Sequence, residues 1–436
     1  MKKIILLIIS LILGIVTIIP YFAGIEASRQ FGYFNQTFYP TNNLKLLDST
    51  YQRGWFHSVA QSRFETSEQN QVADNKANFV FLHEIEHGFV PIQPTVVHSR
   101  LYLAQDFQAS PSREMFDHDV LLEVQTKVEM NGDNLSTLRT PALTIEDDGA
   151  SLQWQGLQGS IEVKQNVATV QAEIYTPQIQ LDTDQGQIVI QDITFNADMQ
   201  SANNNVMQGE GHLNIANAQI ISKQVPQVKL EGIELVGSHN VVNEYLTFVL
   251  KTGLQQMQVG VDHYGPGYGD IELRHWHLPT LTHIKNTLAE RRYQGMTLTQ
   301  RINAAKFQLM PLGLKFLNKS PELALTRLNI NTQEGELQAR LRVKMEPFEG
   351  GIFLLFNPTL LLNALNAQLE IFLPQSLLDN SSLAPETIRA YLKMWVKKGF
   401  LVASNEEPGY YHSQMQLSNG ILQVNGQQLP ITNVFR

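Results

Sequence analysis

Val170-Gln171-Ala172-Glu173-Ile174 alternates apolar and polar side chains, and the same alternation recurs in Leu152-Gln-Trp154-Gln, Ile179-Gln-Leu181 and Ile188-Val-Ile190-Gln. A period of two residues is typical of a β-strand that turns one face to an apolar environment. The pattern dominates residues 70–237 and predicts an antiparallel meander with one apolar face and one polar face. The polar positions are mostly glutamine and asparagine, which solvate a sheet without repulsion between like charges.

The composition excludes several classes of protein. The 436 residues are 43% hydrophobic and 17% charged, against roughly 25% charged in an average soluble domain, so the chain is not a charge-rich disordered protein. Because cysteine is absent, disulfides, thiolate metal sites and cysteine nucleophiles are excluded. The net charge of −9 argues against nucleic acid as a partner.

The N-terminus has the pattern of a membrane segment. Lys2 and Lys3 precede residues 4–25, which carry no charge. As a helix these residues would span roughly 33 Å, enough to cross a hydrocarbon core of about 30 Å. We therefore predict a transmembrane anchor over residues 1–27, with the two lysines on the cytoplasmic side and the rest of the chain outside. The alternative is a cleaved signal peptide, although no clear small-x-small cleavage site is present.

The part of the chain beyond the predicted anchor is acidic. Without Lys2 and Lys3 the charge of −9 becomes −11. A body of this charge is expected to be held away from an anionic membrane surface.

The pattern changes after residue 281, where apolar residues recur at helical spacing. We predict an α+β fold dominated by strands, with an anchor at 1–27, an extended antiparallel region at 28–280 and a mixed region at 281–436 that packs on or continues the sheet. The elements predicted in the mixed region are helices over residues 281–291, 298–309, 358–373 and 385–398, strands over 328–345, and a terminal hairpin that turns at Asn425-Gly426.

Several segments resemble the YdgA family of bacterial envelope proteins. The similar positions are Tyr51, Arg53, Gly54, Trp55, Phe56 and Ser58 near the start, His83, His87 and Gly88 in the next segment, and Asn425 and Gly426 at the end. The resemblance covers nearly the whole chain and implies a protein attached to the inner membrane and facing the periplasm. It implies no reaction and no cofactor, because the function of that family is unknown.

Two histidine patterns suggest metal binding. His83-Glu84-Ile-Glu-His87 matches H-E-x-x-H, which binds zinc when both histidines lie one helical turn apart. Here aromatic and β-branched residues precede His83, and Gly88 follows His87, so the segment is typical of a strand end. In a strand the two histidines would lie about 13 Å apart, too far to share one ion. The second pattern, His275-Trp276-His277, places its two histidines on one face of a predicted strand, where they could contact a metal or solvent.

Three hypotheses for the function follow. The first is a non-enzymatic envelope protein whose one-sided sheet binds an apolar ligand such as a lipid or an acyl chain, unless the helices of the mixed region cover that face. The second is a scaffold that binds other envelope proteins or forms a homo-oligomer through exposed strand edges. The third, with the least support, is a zinc-dependent hydrolase that uses His83, Glu84 and His87.

Overall fold

The computed structural model of the protein describes a large part of the chain. The described residues are 28, 44–66, 78–88, 94–103, 120–129, 131–147, 149–164, 168–201, 207–293, 296–349, 358–380, 386–405 and 407–429. The chain divides into two compact units, Met1–Ser201 and Ala202–Arg436.

Unit 1 contains an antiparallel sheet in which strands pair largely in chain order. From β1 to β6 each strand pairs with the next, and β6 then pairs with β9. The hairpin of β7 and β8 continues this pairing, so that β9 and β8 lie end to end along β10, which pairs with β11. The strands are β1 (Leu44–Arg53), β2 (His57–Thr66), β3 (Asn78–Glu86), β4 (Thr95–Leu103), β5 (Val120–Val128), β6 (Asn134–Thr140), β7 (Leu143–Asp147), β8 (Ala150–Trp154), β9 (Leu157–Lys164), β10 (Thr169–Thr183) and β11 (Gly186–Ser201).

The long strands of unit 1 are interrupted at adjacent positions of neighbouring strands, and we call this set of interruptions the line of breaks. The chain leaves strand geometry between β6 and β7, and again between β8 and β9, where Gly156 has a φ of +89°. The line of breaks continues at Pro177 in β10 and at Asp192 in β11, and Asp192 has a φ of +54°. The Thr140 hydroxyl accepts a hydrogen bond of 2.7 Å from the backbone N–H of Leu157 and so joins the two broken strands.

Within one strand, the apolar residues have even numbers on one side of this line and odd numbers on the other. On one side of it Ile174 pairs with Phe195, and on the other side Ile179 pairs with Ile190. Side chains in an unbroken strand alternate between faces, so Ile174 and Ile179 would point to opposite faces of a regular strand. A break that re-aims the side chains is therefore needed to bring them to one face.

Hydrogen bonds at the break show this re-aiming. Asp192 accepts from the hydroxyl of Tyr175 at 2.8 Å, and the adjacent Gln191 donates to Gln178 at 3.1 Å. Two consecutive polar side chains thus both contact polar side chains of β10, which regular alternation would prevent. The line of breaks therefore keeps the apolar residues of both strand halves on one face.

The described residues of unit 2 form antiparallel strands and five α-helices. The pairing order is β12, β13, β14, β16, β17, β18, β19, β21, β22 and β23, with β15 beside β14 and β20 beside β21. The elements are β12 (Met207–Ser222), β13 (Val228–Val242), β14 (Tyr245–Val259), β15 (Asp262–Tyr264), β16 (Gly267–His277), α1 (Leu278–Leu288), α2 (Leu298–Leu317), β17 (Glu322–Thr332), β18 (Gly335–Met345), α3 (Pro358–Ala364), β19 (Leu365–Pro374), α4 (Leu377–Asn380), α5 (Glu386–Lys397), β20 (Val402–Ala403), β21 (Tyr410–Ser418), β22 (Ile421–Val424) and β23 (Gln427–Leu429).

A similar line of breaks crosses unit 2. Gly232 of β13 has a φ of +62° and lies opposite Gln255 of β14. The apolar residues of β14 again switch from even to odd numbers there, from Leu254 on one side of Gln255 to Met257 on the other. The main buried cluster lies elsewhere, where α4 and α5 pack on the end of β19 around Leu373.

The prediction of a strand-dominated fold is confirmed, but the prediction that the fold includes a transmembrane helix is corrected. No helix in the described residues is long and apolar enough to cross a membrane. The longest, α2, has 20 residues but carries Arg301, Lys306 and Lys315. The predicted anchor, residues 1–27, lies outside the described residues.

The predicted helix over residues 358–373 is also wrong beyond Ala364. Leu365–Pro374 is strand β19, held between β18 and β21 by backbone hydrogen bonds. The helix predicted over residues 385–398 is confirmed as α5 (Glu386–Lys397), and the hairpin at Asn425-Gly426 is confirmed as well. The predicted domain bounds stay a prediction.

Replacing the glycine at the break should destabilise the protein. The variant Gly156→Ala places a Cβ 2.6 Å from the carbonyl oxygen of Thr140, at a φ that alanine disfavours. We expect it to lose about 1–3 kcal/mol of unfolding free energy in denaturant titrations. In the control, Gly313→Ala in α2, the Cβ meets no atom within 4 Å, and we expect a gain of about 0.4–1 kcal/mol. Equal unfolding midpoints for Gly156→Ala and the wild type would contradict the strained break.

Candidate functional site

Most of the motif positions from the N-terminal half converge at one end of the β1–β2–β3 sheet. Tyr51 and Arg53 end β1, Gly54, Trp55 and Phe56 form the turn, and Ser58 begins β2. His87 and Gly88 follow β3 directly. A Cβ at Gly54 would collide with the carbonyl oxygen of His57, so the tight turn requires glycine.

His87 joins this turn to the end of β3. Its Nδ1 lies 2.9 Å from the carbonyl oxygen of Trp55, and its Nε2 lies 2.9 Å from Oγ of Ser58. A carbonyl only accepts, so Nδ1 carries a hydrogen, and Nε2 pairs with the Ser58 hydroxyl. The backbone N–H of His87 also donates to the carbonyl of Phe56 at 2.8 Å.

The hydrogen-bond pattern of Ser58 and His87 is that of a nucleophile and its base. However, Ser58 exposes 1% of its surface and His87 exposes 4%. A serine nucleophile must reach its substrate, and burial of both groups prevents this. The pair is therefore a structural clasp that fixes the β1–β2 turn.

The H-E-x-x-H residues have three separate environments. His83 Nδ1 lies 2.7 Å from Oγ of Ser99, whereas Glu84 pairs with Arg100 at 3.5 Å. His83 and His87 lie on strand β3 and just after it, not on a helix. Within the described ranges no group of three His, Cys, Asp or Glu side chains is arranged to hold a metal ion.

His275 and His277 also have separate partners. His275 bonds to the carbonyl of Lys319 at 3.0 Å, while His277 Nδ1 lies 2.8 Å from the Thr280 hydroxyl. The two rings therefore serve to attach α1 and the end of α2 to the sheet.

Burial sets the charge state of His83. Desolvation lowers its pKa from 6.5 to about 4, and its ring stacks on Phe81 with centroids 5.9 Å apart. The ring is thus neutral at physiological pH, and protonation would leave a cation that burial separates from water.

The C-terminal motif is a turn with a second role. Asn425 and Gly426 both have positive φ, as the turn between β22 and β23 requires. The Asn425 side chain also donates to the carbonyls of Gly399 and Phe400 at 3.0 and 3.2 Å. It thereby links the terminal hairpin to the end of α5.

A buried ion cluster in unit 2 was missed by sequence reasoning. Glu322, with 7% of its side chain exposed, accepts two hydrogen bonds from Arg342 at 2.9 and 3.0 Å and one from Arg274 at 3.1 Å. Burial alone would raise the pKa of Glu322, but the two arginines outweigh it and hold the pKa below its usual value. Arg274 and Arg342 also line a groove of about 390 Å³ on the polar face of the sheet, together with Arg340 and Glu370. The alternating arginines of Arg340-Leu-Arg342 were the only signal for this cluster in the sequence.

The family model described as "Bacterial protein of unknown function (DUF945)" matches residues 1–432. The chain belongs to this family. Comparisons with curated proteins and with solved structures find no match.

For this DUF945 protein the clasp should matter for stability and not for chemistry. Ser58→Ala leaves Nε2 of His87 buried without a partner, and we expect a loss of about 1–3 kcal/mol of unfolding free energy. The wild type should stay unlabelled by a fluorophosphonate probe, which reacts with activated serines. Labelling that disappears in Ser58→Ala would contradict a purely structural role.

The low pKa of His83 predicts acid sensitivity. Between pH 6.5 and pH 4 the unfolded chain binds a proton at His83 that the folded chain does not bind. Stability from this residue is thus lost as the pH falls through that window, by about 1.4 kcal/mol per pH unit and about 3 kcal/mol in all. In denaturant titrations His83→Gln, which keeps a hydrogen-bonding group but does not titrate, should lose correspondingly less stability between pH 7 and pH 4. An unchanged loss in His83→Gln would show that His83 does not cause it.

Proposed function

We propose that this DUF945 protein is a non-enzymatic protein of the bacterial envelope that binds the acyl chain of a lipid along the apolar face of its sheets. The observation that carries the proposal is a row of aliphatic side chains that crosses six strands of unit 2 in register. The row consists of Leu250, Ile271, Leu325, Leu341, Leu369 and Met415.

The length of the row fits this ligand. Six strands about 4.8 Å apart span about 24 Å. One leaflet of acyl chains occupies about half of a hydrocarbon core of about 30 Å. An extended acyl chain therefore fits along the row.

The described helices leave much of the apolar face open. The α1–α2 pair contacts the sheet at the end of β16, and α3, α4 and α5 contact β19. Large apolar side chains remain exposed in both units, among them Ile271 in unit 2 and Ile188 and Phe195 in unit 1. Helical closure of the face was the main argument against an apolar ligand, and these exposures weaken it.

The location rests on the sequence. The two N-terminal lysines and the uncharged residues 4–25 support attachment at the inner membrane with the sheets on the periplasmic side. The resemblance to the YdgA family supports the same location. A protein attached to the inner membrane would have lipids close to its sheet.

Photo-crosslinking in intact cells tests the ligand. We would replace Ile271 of the row with p-benzoylphenylalanine and, as a matched control, Tyr268, a residue of the same strand that is equally exposed but lies three positions away and so on the polar face. After irradiation and purification of the full chain, mass spectrometry should detect a lipid adduct at position 271 at least several-fold above that at position 268.

Other results would reject acyl-chain binding. Equal lipid adducts at both positions would show nonspecific contact with the membrane. Crosslinks from position 271 to protein alone would favour the second hypothesis, a scaffold or homo-oligomer.

A further inference from the structure

Positive charge is concentrated in the helical hairpin, which we define as residues 278–319 with α1 and α2. This segment contains seven lysines and arginines but only one acidic residue, Glu290, for a net charge of +6. The whole chain carries −9, so the other residues together carry −15. The helical hairpin is therefore positively charged although the chain as a whole is negative.

Most of this positive charge is not neutralised. Lys285, Lys306 and Lys315 are exposed, and no ion pair to a carboxylate joins them within the described part of the chain. The single acid, Glu290, pairs with Arg292 at 2.8 Å. The hairpin therefore presents a basic surface to solvent.

The hairpin also exposes large apolar side chains. Phe307 is 77% exposed, and Leu298, Ile302 and Met310 are exposed as well. Nζ of Lys306 lies 5.1 Å from the ring centre of Phe307, so an apolar group and a cation are presented together. Exposed apolar side chains among basic residues on a helix are typical of elements that bind at a membrane surface.

These side chains belong to a well-formed element. The Thr297 hydroxyl accepts from the backbone of Gln300, and the Gln300 side chain accepts from the backbone of Thr297, which makes a capping box at the start of α2. The end of α2 is fixed to the sheet by an edge-to-face contact between Phe316 and Trp276. The exposure of Phe307 is therefore not the result of a frayed helix.

We propose that the helical hairpin binds the surface of an anionic lipid bilayer. The basic side chains lie against the lipid phosphates, and Phe307 and its apolar neighbours enter the headgroup region. The charge argues against a symmetric dimer in which two hairpins meet, because two +6 surfaces would repel each other. The whole-chain charge predicted that the body would be held off such a membrane, and the local charge reverses that expectation.

The proposal is independent of acyl-chain binding, because it involves none of the residues of the sheet row. An experiment that rejects membrane binding by the hairpin therefore does not reject acyl-chain binding by the sheet, and the reverse also holds. It is also independent of the N-terminal segment, provided that the experiment reads the hairpin directly.

The absence of cysteine makes a direct test simple. Phe307→Cys in the full-length chain gives a single site for the environment-sensitive fluorophore NBD. Val261→Cys, at a turn residue that is 86% exposed in the same unit, is the matched control. The chain is reconstituted into vesicles of phosphatidylcholine alone or of phosphatidylcholine with phosphatidylglycerol.

We expect NBD at position 307 to shift to shorter wavelength and gain intensity in the anionic vesicles only, and to lose the change at high salt. NBD at position 261 should not respond. No change at position 307 would overturn the proposal, and so would an equal change in neutral vesicles. A change that depends on protein concentration without vesicles would assign the surface to a second copy and would also overturn it.

Charge reversal provides the second measurement. Lys306→Glu with Lys315→Glu should lower the ratio of bound to free hairpin roughly tenfold or more, because each basic residue near an anionic surface contributes on the order of 1 kcal/mol. Lys223→Glu with Lys251→Glu changes the net charge equally at exposed positions outside the hairpin and should have little effect. Equal losses in the two double variants would reject local binding by the hairpin.

Discussion

The fold depends on the requirement that paired strands turn the same residues to the same face. Within an antiparallel ladder, cross-strand partners share a face, so a strand cannot change its alternation unless its neighbours change at the same level. Pro177 and Asp192 face each other in β10 and β11, and Gly232 faces Gln255 in β13 and β14. Because the breaks are matched in this way, long strands keep a single apolar face in spite of the change in parity.

This constraint also explains which residues stand at the breaks. Gly156 and Gly232 adopt positive φ, which glycine reaches without steric cost, and Asp192 is of a type that tolerates it. The aliphatic rows on either side then remain aligned across many strands. An open apolar face and a polar face rich in glutamine are consequences of the same register.

Much of the sheet could be predicted from the sequence. Alternation around Val170 and Ile188 identified the strands, and Asn425-Gly426 identified the last hairpin. The break was not predicted, because the odd spacing between Ile174 and Ile179 gains its meaning only from cross-strand pairing, which shows that neighbouring strands break at the same level. Residues 365–373 were predicted as helix because the leucines recur at helical spacing, and pairing on both sides overrode that preference.

The candidate site was less predictable. The sequence pointed to Ser58 and His87 separately, but their contact joins residues 29 positions apart and depends on the register of β2 and β3. The link from Asn425 to Gly399 and the arginines on Glu322 are likewise long-range contacts. The charge of the hairpin was countable from the start, yet only the fold shows that its lysines and Phe307 are exposed together on a formed helix.

The most direct test of the account is the accessibility of spin labels across the break in β10. Labels would be attached one at a time through Ile174→Cys, Ile179→Cys, Glu173→Cys and Gln180→Cys, and their collisions with oxygen and with a polar nickel complex would be measured. If the break keeps one apolar face, labels at positions 174 and 179 share one profile, low in nickel contact, while labels at positions 173 and 180 share the opposite profile. Opposite profiles for Ile174 and Ile179 would show that the sheet has no single apolar face and would contradict the account.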